Sequence, residues 1–212
     1  MTPTRVHRFG RTTRWFHWTF ALSFLSLASS GSLLLCRAEL SINPADVALL
    51  IEIHKITAIV FLTAPWLIGL SGDRRAWLRD LSETARFTRD DLVWLARQPL
   101  AMLGKAELPP QDKLNAGQKL NALAVAAISG AMVVTGIHLW HAPGSFFALV
   151  VHVSGFLAWI PAFCVHLFMA LINPSTRPAL RAMIRGDVDR TWAAHHHARW
   201  LASVEREERA KP

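Results

Sequence analysis

The chain is poor in charge and in cysteine. Only 18% of its 212 residues are charged, against 52% hydrophobic, and its mean hydropathy is +0.26. An ordinary soluble domain carries about 25% charged residues, so this shortage points to an integral membrane protein. The two cysteines, Cys36 and Cys164, lie in or beside different apolar runs, and no C-x-x-C, iron–sulfur or zinc spacing is present. Both are therefore expected to be small buried hydrophobes rather than ligands. Acidic residues are scarcer than basic ones, 15 against 23, for a net charge of +8. No basic stripe interleaved with aromatics forms a separate domain, which argues against a nucleic-acid partner; the Lys and Arg residues instead flank long apolar runs, as topology determinants do. The longest gap in charge runs over residues 120–176, 57 positions without Asp, Glu, Lys or Arg. Such a stretch must cross a bilayer twice. Internal repeats and low-complexity segments are absent.

What is present sorts into four spans. A basic segment containing Arg5, Arg8, Arg11 and Arg14 precedes a charge-free run over residues 15–36, which exceeds a signal-peptide core and is not followed by a small-x-small cleavage site, so it is expected to be a retained helix. Asn43-Pro44 marks a turn before a second span at about 47–70, which carries Glu52, His54 and Lys55 near its start. Glu52 and Lys55 stand three apart and can pair or snorkel. Residues 73–118 mix basic and acidic residues with Trp77, Leu81, Phe87, Leu92, Trp94 and Leu95, a pattern expected to form one or two amphipathic helices on the membrane surface. The turn His141-Ala142-Pro143-Gly144 divides the charge-free stretch into spans at about 120–140 and 146–172. A basic tail, 173–212, includes His195, His196, His197 and Lys211. The amino terminus, the 73–118 loop and the tail hold nearly all the Lys and Arg, so the positive-inside rule places them in the cytoplasm. The expected fold is an all-α integral membrane protein, a four-transmembrane-helix bundle with both termini cytoplasmic and an amphipathic surface helix between spans two and three, forming one membrane domain over residues 1–212.

Ionisable side chains within spans are costly and mark functional sites by default. His152 and His166 are fourteen residues apart on the fourth span, roughly 21 Å along an α-helix and nearly on one face. With the orientation above, His54 and His152 share the outer half of the membrane, and His17 and His166 share the inner half. Two such pairs suit two b-type haems, each iron held by imidazoles from two helices. Gly31, Gly69, Gly130, Gly136 and Gly155 would allow close approach, although small residues also serve plain helix packing. A single intramembrane histidine can equally be a packing or hydrogen-bonding residue. His138 and His141, at the outer end of span three, read better as interfacial, with His138 the main competitor for pairing with His54 or His152. A zinc site would need further ligands at one depth, and none is suitably placed beside the inner pair.

The chain resembles the dihaem cytochrome b (gamma) subunit of membrane-bound formate dehydrogenases, within the prokaryotic cytochrome b561-like superfamily. The resemblance covers essentially its whole length. Its carriers are Arg14-Trp15-Phe16-His17-Trp18, His54, Asn115-Ala116-Gly117-Gln118-Lys119, His152 with His166, and the tail ALRAMIRGDVDRTWAAHHHARW. The resemblance implies that His54 and His152 ligate the haem nearest an iron–sulfur beta subunit. His17 and His166 would ligate the haem beside a quinone pocket, with Asn115, Gly117, Gln118 and His166 as quinone contacts. It further implies a molybdenum- or tungsten-containing alpha subunit, menaquinone or ubiquinone as electron acceptor, a bacterial inner-membrane location with lipid contacts, and a possible higher oligomer of the complex. Asn115 and Gln118 could instead merely cap span three. The histidine pattern alone also fits cytochrome subunits of hydrogenases and thiosulfate reductases, or a stand-alone dihaem quinol oxidase of cytochrome b561 type. A transporter or structural anchor, with histidines that relay protons or pack, would lack haem altogether. Glu52 and Lys55 depart from the family pattern.

Overall fold

In the computed structural model, which describes residues 4–210, the chain is almost entirely helical. Four helices are long and apolar enough to cross a membrane: α1 (Arg11–Leu35), α2 (Pro44–Ser71), α5 (Ala116–His141), and α6 (Phe146–Leu167) continued by a π-helical turn, Phe168–Ile172. Only 6% of the apolar window of each of the last three is buried within the chain, so their hydrophobic surfaces face outward. Outward apolar surface on this scale is what lipid covers. Both cysteines are on such exposed positions, contrary to expectation, because Cys36 ends α1 and Cys164 lies on a face of α6 that no protein covers. Tail residue Lys211 lies outside the described residues.

Two compact units divide the chain. The first comprises residues 10–77 and 131–156. Here α1 packs along α2, with Phe20 against Phe61 at 4.5 Å between ring centroids and Phe16 edge-on to Trp66 at 5.8 Å. The serines of α1 do not break its apolar character. Ser23, Ser26, Ser30 and Ser32 each return their hydroxyl to a carbonyl four residues back, which satisfies the donor without water. Helix α2 begins three residues before the expected span, because Asn43 caps it by accepting from the Asp46 N–H and Pro44 opens its first turn. Glu52 and Lys55 form the ion pair their spacing allows, at 2.9 Å, with the Lys55 ammonium over the Trp140 ring.

The second unit comprises residues 4–9, 78–130 and 157–210. It contains a feature that hydropathy did not anticipate: β1 (Arg5–His7) pairs antiparallel with β2 (Asp187–Asp189). Val6 and Val188 face each other across this ladder at 3% and 1% exposure and seed a core with Phe9, Ala182, Ala193, Trp200 and Leu201. Gly186 makes the ladder possible. Its φ of +94°, in the region that favours glycine, turns α7 (Leu180–Ile184) into β2, and its carbonyl accepts the N–H groups of Arg8 and Phe9. Helices α8 (Arg190–His196) and α9 (Ala198–Arg209) complete the tail. The loop between spans two and three forms two helices, α3 (Arg74–Ala85) and α4 (Arg89–Met102).

Helix α4 is tied to the start of α5 by a buried ion pair. Thr88 and Asp91 form a capping box, and the same Asp91 carboxylate receives the Lys119 ammonium at 2.9 and 3.1 Å, with the Arg86 carbonyl taking a further Lys119 proton. The two side chains are 1% and 3% exposed. Burial tends to raise the Asp91 pKa, but the bonds from Lys119 and Thr88 outweigh it and hold the carboxyl below its usual range. Removing one partner of such a pair costs about 3–5 kcal/mol, whereas replacing both by apolar residues is often neutral. Asp91→Ala is therefore expected to lower the thermal unfolding midpoint in detergent sharply, and Asp91→Leu combined with Lys119→Met to recover most of the loss; a wild-type midpoint for Asp91→Ala would contradict this.

Candidate functional site

The first unit brings His54 of α2 and His152 of α6 together, with ring centroids 6.3 Å apart and planes inclined at 71°. Each ring is oriented through Nδ1. The Ser30 hydroxyl donates to the Ser26 carbonyl, and its oxygen lies 2.8 Å from His54 Nδ1, placed to accept that proton. On the other side, the Met132 carbonyl lies 2.9 Å and the Thr135 hydroxyl 3.2 Å from His152 Nδ1. A backbone carbonyl only accepts, so His152 carries its proton on Nδ1 and presents the lone pair of Nε2; Ser30 supports the same tautomer in His54. Close approach of the helices is part of the arrangement. A Cβ on Gly136 would sit 3.2 Å from His152 Cε1, and one on Gly31 3.5 Å from His54 Cε1. The two glycines thus adjoin the imidazoles themselves, while a Cβ on Gly69 would meet the Trp77 indole and one on Gly130 would meet nothing. His138 and His141 are exposed at the carboxy-terminal end of α5, and the ring beside His54 is that of His152.

His17 lies in α1, in the first unit, and His166 in the last turn of α6, in the second. The second unit also holds the start of α5. Asn115 is the N-cap: its Oδ1 accepts the Gln118 N–H at 2.9 Å, while Gln118 Oε1 accepts the Asn115 N–H at 3.1 Å. This reciprocal cap starts the helix at Ala116, four residues before the expected span. Ala116 is fully buried and its N–H donates to Gln111 Oε1 at 2.9 Å, and a Cβ on Gly117 would press the Trp94 ring at 3.3 Å. The whole Asn-Ala-Gly-Gln-Lys string therefore has a structural role. The cap uses the two amide oxygens, so both amide NH2 groups remain chemically able to donate to a carbonyl.

Behind this cap sits a group that the histidine and motif patterns did not single out. Arg8 is 2% exposed, and its Nη2 donates to the Lys113 carbonyl at 2.6 Å, to Gln118 Oε1 at 3.5 Å and to His197 Nε2 at 3.0 Å. Its guanidinium also stacks near Phe9, Trp192 and Trp200. Burial lowers the Arg8 pKa to about 9, with Asp80 opposing, so it keeps its proton at neutral pH. His197, 1% exposed, donates from Nδ1 to the Asp112 carbonyl at 2.7 Å and accepts from Arg8 at Nε2. Of the three consecutive tail histidines, this one is a core residue. The amino-terminal strand, the 109–114 segment, the α5 cap and the tail thus converge on one buried cation.

Residues 8–186 match the prokaryotic cytochrome b561 family, and the chain belongs to that family. It is a membrane protein of a haem b-binding class. Among its curated relatives is the cytochrome b556(Fdn) subunit of the nitrate-inducible formate dehydrogenase of Escherichia coli, 27% identical over 135 residues, which cover 58% of this chain and 59% of the relative. The cytochrome b556(fdo) subunit of formate dehydrogenase from the same species is 30% identical over 124 residues, covering 55% and 57%. The chain spans less than two thirds of the length of these relatives.

The environment of His197 fixes an acid limb. Burial, with the charge of Arg8 second, pushes the folded ring down from 6.5 to about 3. Above about pH 6.5 folded and unfolded rings are both neutral and its contribution is fully present. Between 6.5 and 3 only the unfolded ring gains a proton, so stability falls by roughly 1.4 kcal/mol per pH unit. His197→Gln keeps one donor and one acceptor without titrating. It is expected to flatten the decline of the unfolding midpoint over that range, and an unaltered slope would show that His197 is not its source.

Proposed function

We propose that this chain is the membrane-anchoring dihaem cytochrome b subunit of a respiratory formate dehydrogenase of a bacterial inner membrane, passing electrons from an iron–sulfur subunit through two b haems to quinone. The approach of His54 to His152 carries the reading. These rings, from two different helices, stand 6.3 Å apart with their Nδ1 atoms engaged by the protein, which leaves Nε2 of each as the nitrogen that would hold a metal. When bound, a b haem would supply one-electron transfer. His54 and His152 would hold the outer haem, with Ser30 and the Met132 carbonyl fixing ring orientation and raising the basicity of Nε2. His17 and His166 would hold the inner haem, and Asn115, Gly117, Gln118 and His166 would contact the quinone.

In this role the Asn115 and Gln118 NH2 groups, at a helix amino terminus, donate to a quinone carbonyl and favour the negative charge that develops on its oxygen. Both termini would face the cytoplasm, so quinone reduction near the α5 amino terminus draws its protons from that side. Likeness to formate dehydrogenase cytochrome subunits supports formate as the electron donor, with a molybdenum- or tungsten-containing catalytic subunit reached through the iron–sulfur subunit. The family match equally suits a cytochrome b561-type quinol oxidase without such partners. Mild detergent purification with subunit identification separates the two readings: large co-purifying subunits support the first, and a lone haem protein the second.

His54→Ala and His152→Ala are each expected to lose one of two haems per chain by pyridine haemochrome assay, and retention of both would end the pairing. Ser30→Ala should keep both haems while shifting one midpoint potential, because His54 Nδ1 loses its acceptor. Gln118→Glu keeps the capping oxygen but removes the donor. It is expected to impair quinone reduction with haem content intact, and unchanged quinone kinetics would remove Gln118 from the site.

A further inference from the structure

We infer that an arginine-lined cleft at the end of the fourth span binds the phosphate of an anionic phospholipid. The cleft is an open groove of about 540 Å³, and its lining includes Arg5, Arg177, Arg181 and Arg185 together with Leu180 and Ile184. Two distant parts of the chain build it. Arg177 in the 3-10 turn Arg177–Ala179, Arg181 in α7 and Arg185 at the end of α7 all line it. Arg5 comes from β1, brought there because it pairs with Asp189 in the strand ladder.

The cleft is positively charged. Among the described residues, Arg181 alone of the four forms an ion pair, with Asp187. Asp189 also lines the cleft; its Oδ1 caps α8, accepting the N–H groups of Thr191 and Trp192, and its charge offsets one of the four guanidinium groups, which leaves the lining net positive. The field reaches Asp187, whose carboxyl is held below its usual range first by the Arg181 hydrogen bond and further by the charges of Arg181, Arg5 and Arg185. Guanidinium groups match phosphate oxygens in fork geometry, and several directed at one space suit a phosphate better than a carboxylate.

Position commits the cleft to lipid. Arg177 stands five residues beyond Ile172, where the fourth span ends, and the π-helical end of that span contacts the 3-10 turn, with the Thr176 hydroxyl donating to the Met169 carbonyl at 2.5 Å. The arginines thus follow closely on the end of the span, and the cleft wall itself includes Leu180 and Ile184, the latter 55% exposed. A phosphodiester with acyl chains fills both halves of this surface, whereas a free phosphate would leave the apolar half bare. Basic pockets in such a position bind anionic headgroups. Topology alone would require positive charge on one side of the membrane, but not the convergence of Arg5 with three arginines nearly 180 residues away.

The test uses the full chain, with whatever subunits co-purify, in phosphatidylcholine nanodiscs with or without phosphatidylglycerol. Native mass spectrometry after detergent release is expected to show retained phosphatidylglycerol in preference to phosphatidylcholine. Arg177→Gln with Arg185→Gln should weaken that retention about tenfold or more, as expected for the loss of charge-assisted hydrogen bonds, with haem absorbance unchanged; Arg5→Gln alone should weaken it less. Equal retention of the two lipids by the wild-type protein overturns the inference without any variant. So does release of phosphatidylglycerol by millimolar inorganic phosphate, which would make the site one for a free anion. Loss of a co-purifying subunit from the double variant with lipid retention unchanged would assign the cleft to a protein partner instead and also overturn it.

Discussion

An imidazole held between helices inside a span has two nitrogens to satisfy and no water with which to do it. In the first unit this requirement is met on one nitrogen only: Ser30 takes up His54 Nδ1, and the Met132 carbonyl takes up His152 Nδ1. The remaining features follow from that division. Ser30 can lie in an apolar helix because its own proton returns to the Ser26 carbonyl, leaving its oxygen available. Gly136 leaves room beside His152, since a methyl group there would stand at 3.2 Å from the ring and press it. With both Nδ1 atoms engaged by the protein, the Nε2 lone pairs are the ring positions left to a ligand, which is the feature the proposed haem role rests on.

The spans were legible because long apolar stretches have few other uses, and all four helices occur where hydropathy placed them. Their starts were less legible. The helices begin at Arg11, Pro44 and Ala116 rather than at the first unbroken apolar residue, since capping by Asn43 and Asn115 sets a helix end and hydrophobicity does not. Glu52 and Lys55 were readable as a pair from spacing alone. Lys119 was not, because its counter-ion is twenty-eight positions away and becomes adjacent only after α4 folds back.

Arg8 shows the limit of composition most clearly. Arg5, Arg8, Arg11 and Arg14 look alike as a flanking basic series, but in the structure Arg5 and His7 are exposed while Val6 and Arg8 are buried. The alternation is that of a strand, and a three-residue strand is too short for periodicity to announce. Only its partner, over 180 residues on, makes it one. The tail histidines differ for the same reason: His197 is enclosed by Asp112 and Arg8, whereas His195 stays at the surface. Long-range pairing decides which member of a uniform run enters the core.

The Asn-Ala-Gly-Gln-Lys string shows how a structural and a functional reading can both hold. Each of its residues has a packing or capping task, so its presence alone would not require a ligand. Yet those tasks consume acceptors and leave donors: the cap occupies the amide oxygens of Asn115 and Gln118, and Lys119 is locked onto Asp91 away from the helix end. What remains at the amino terminus of α5 is donor-rich, lies at the positive end of a long helix, and is held from behind by Arg8 through Gln118 and the Lys113 carbonyl. A rigid set of donors at such a point suits a ligand whose oxygens gain negative charge. Rigidity is supplied by the same bonds that the capping interpretation invokes, so capping is the means by which the site would be ordered.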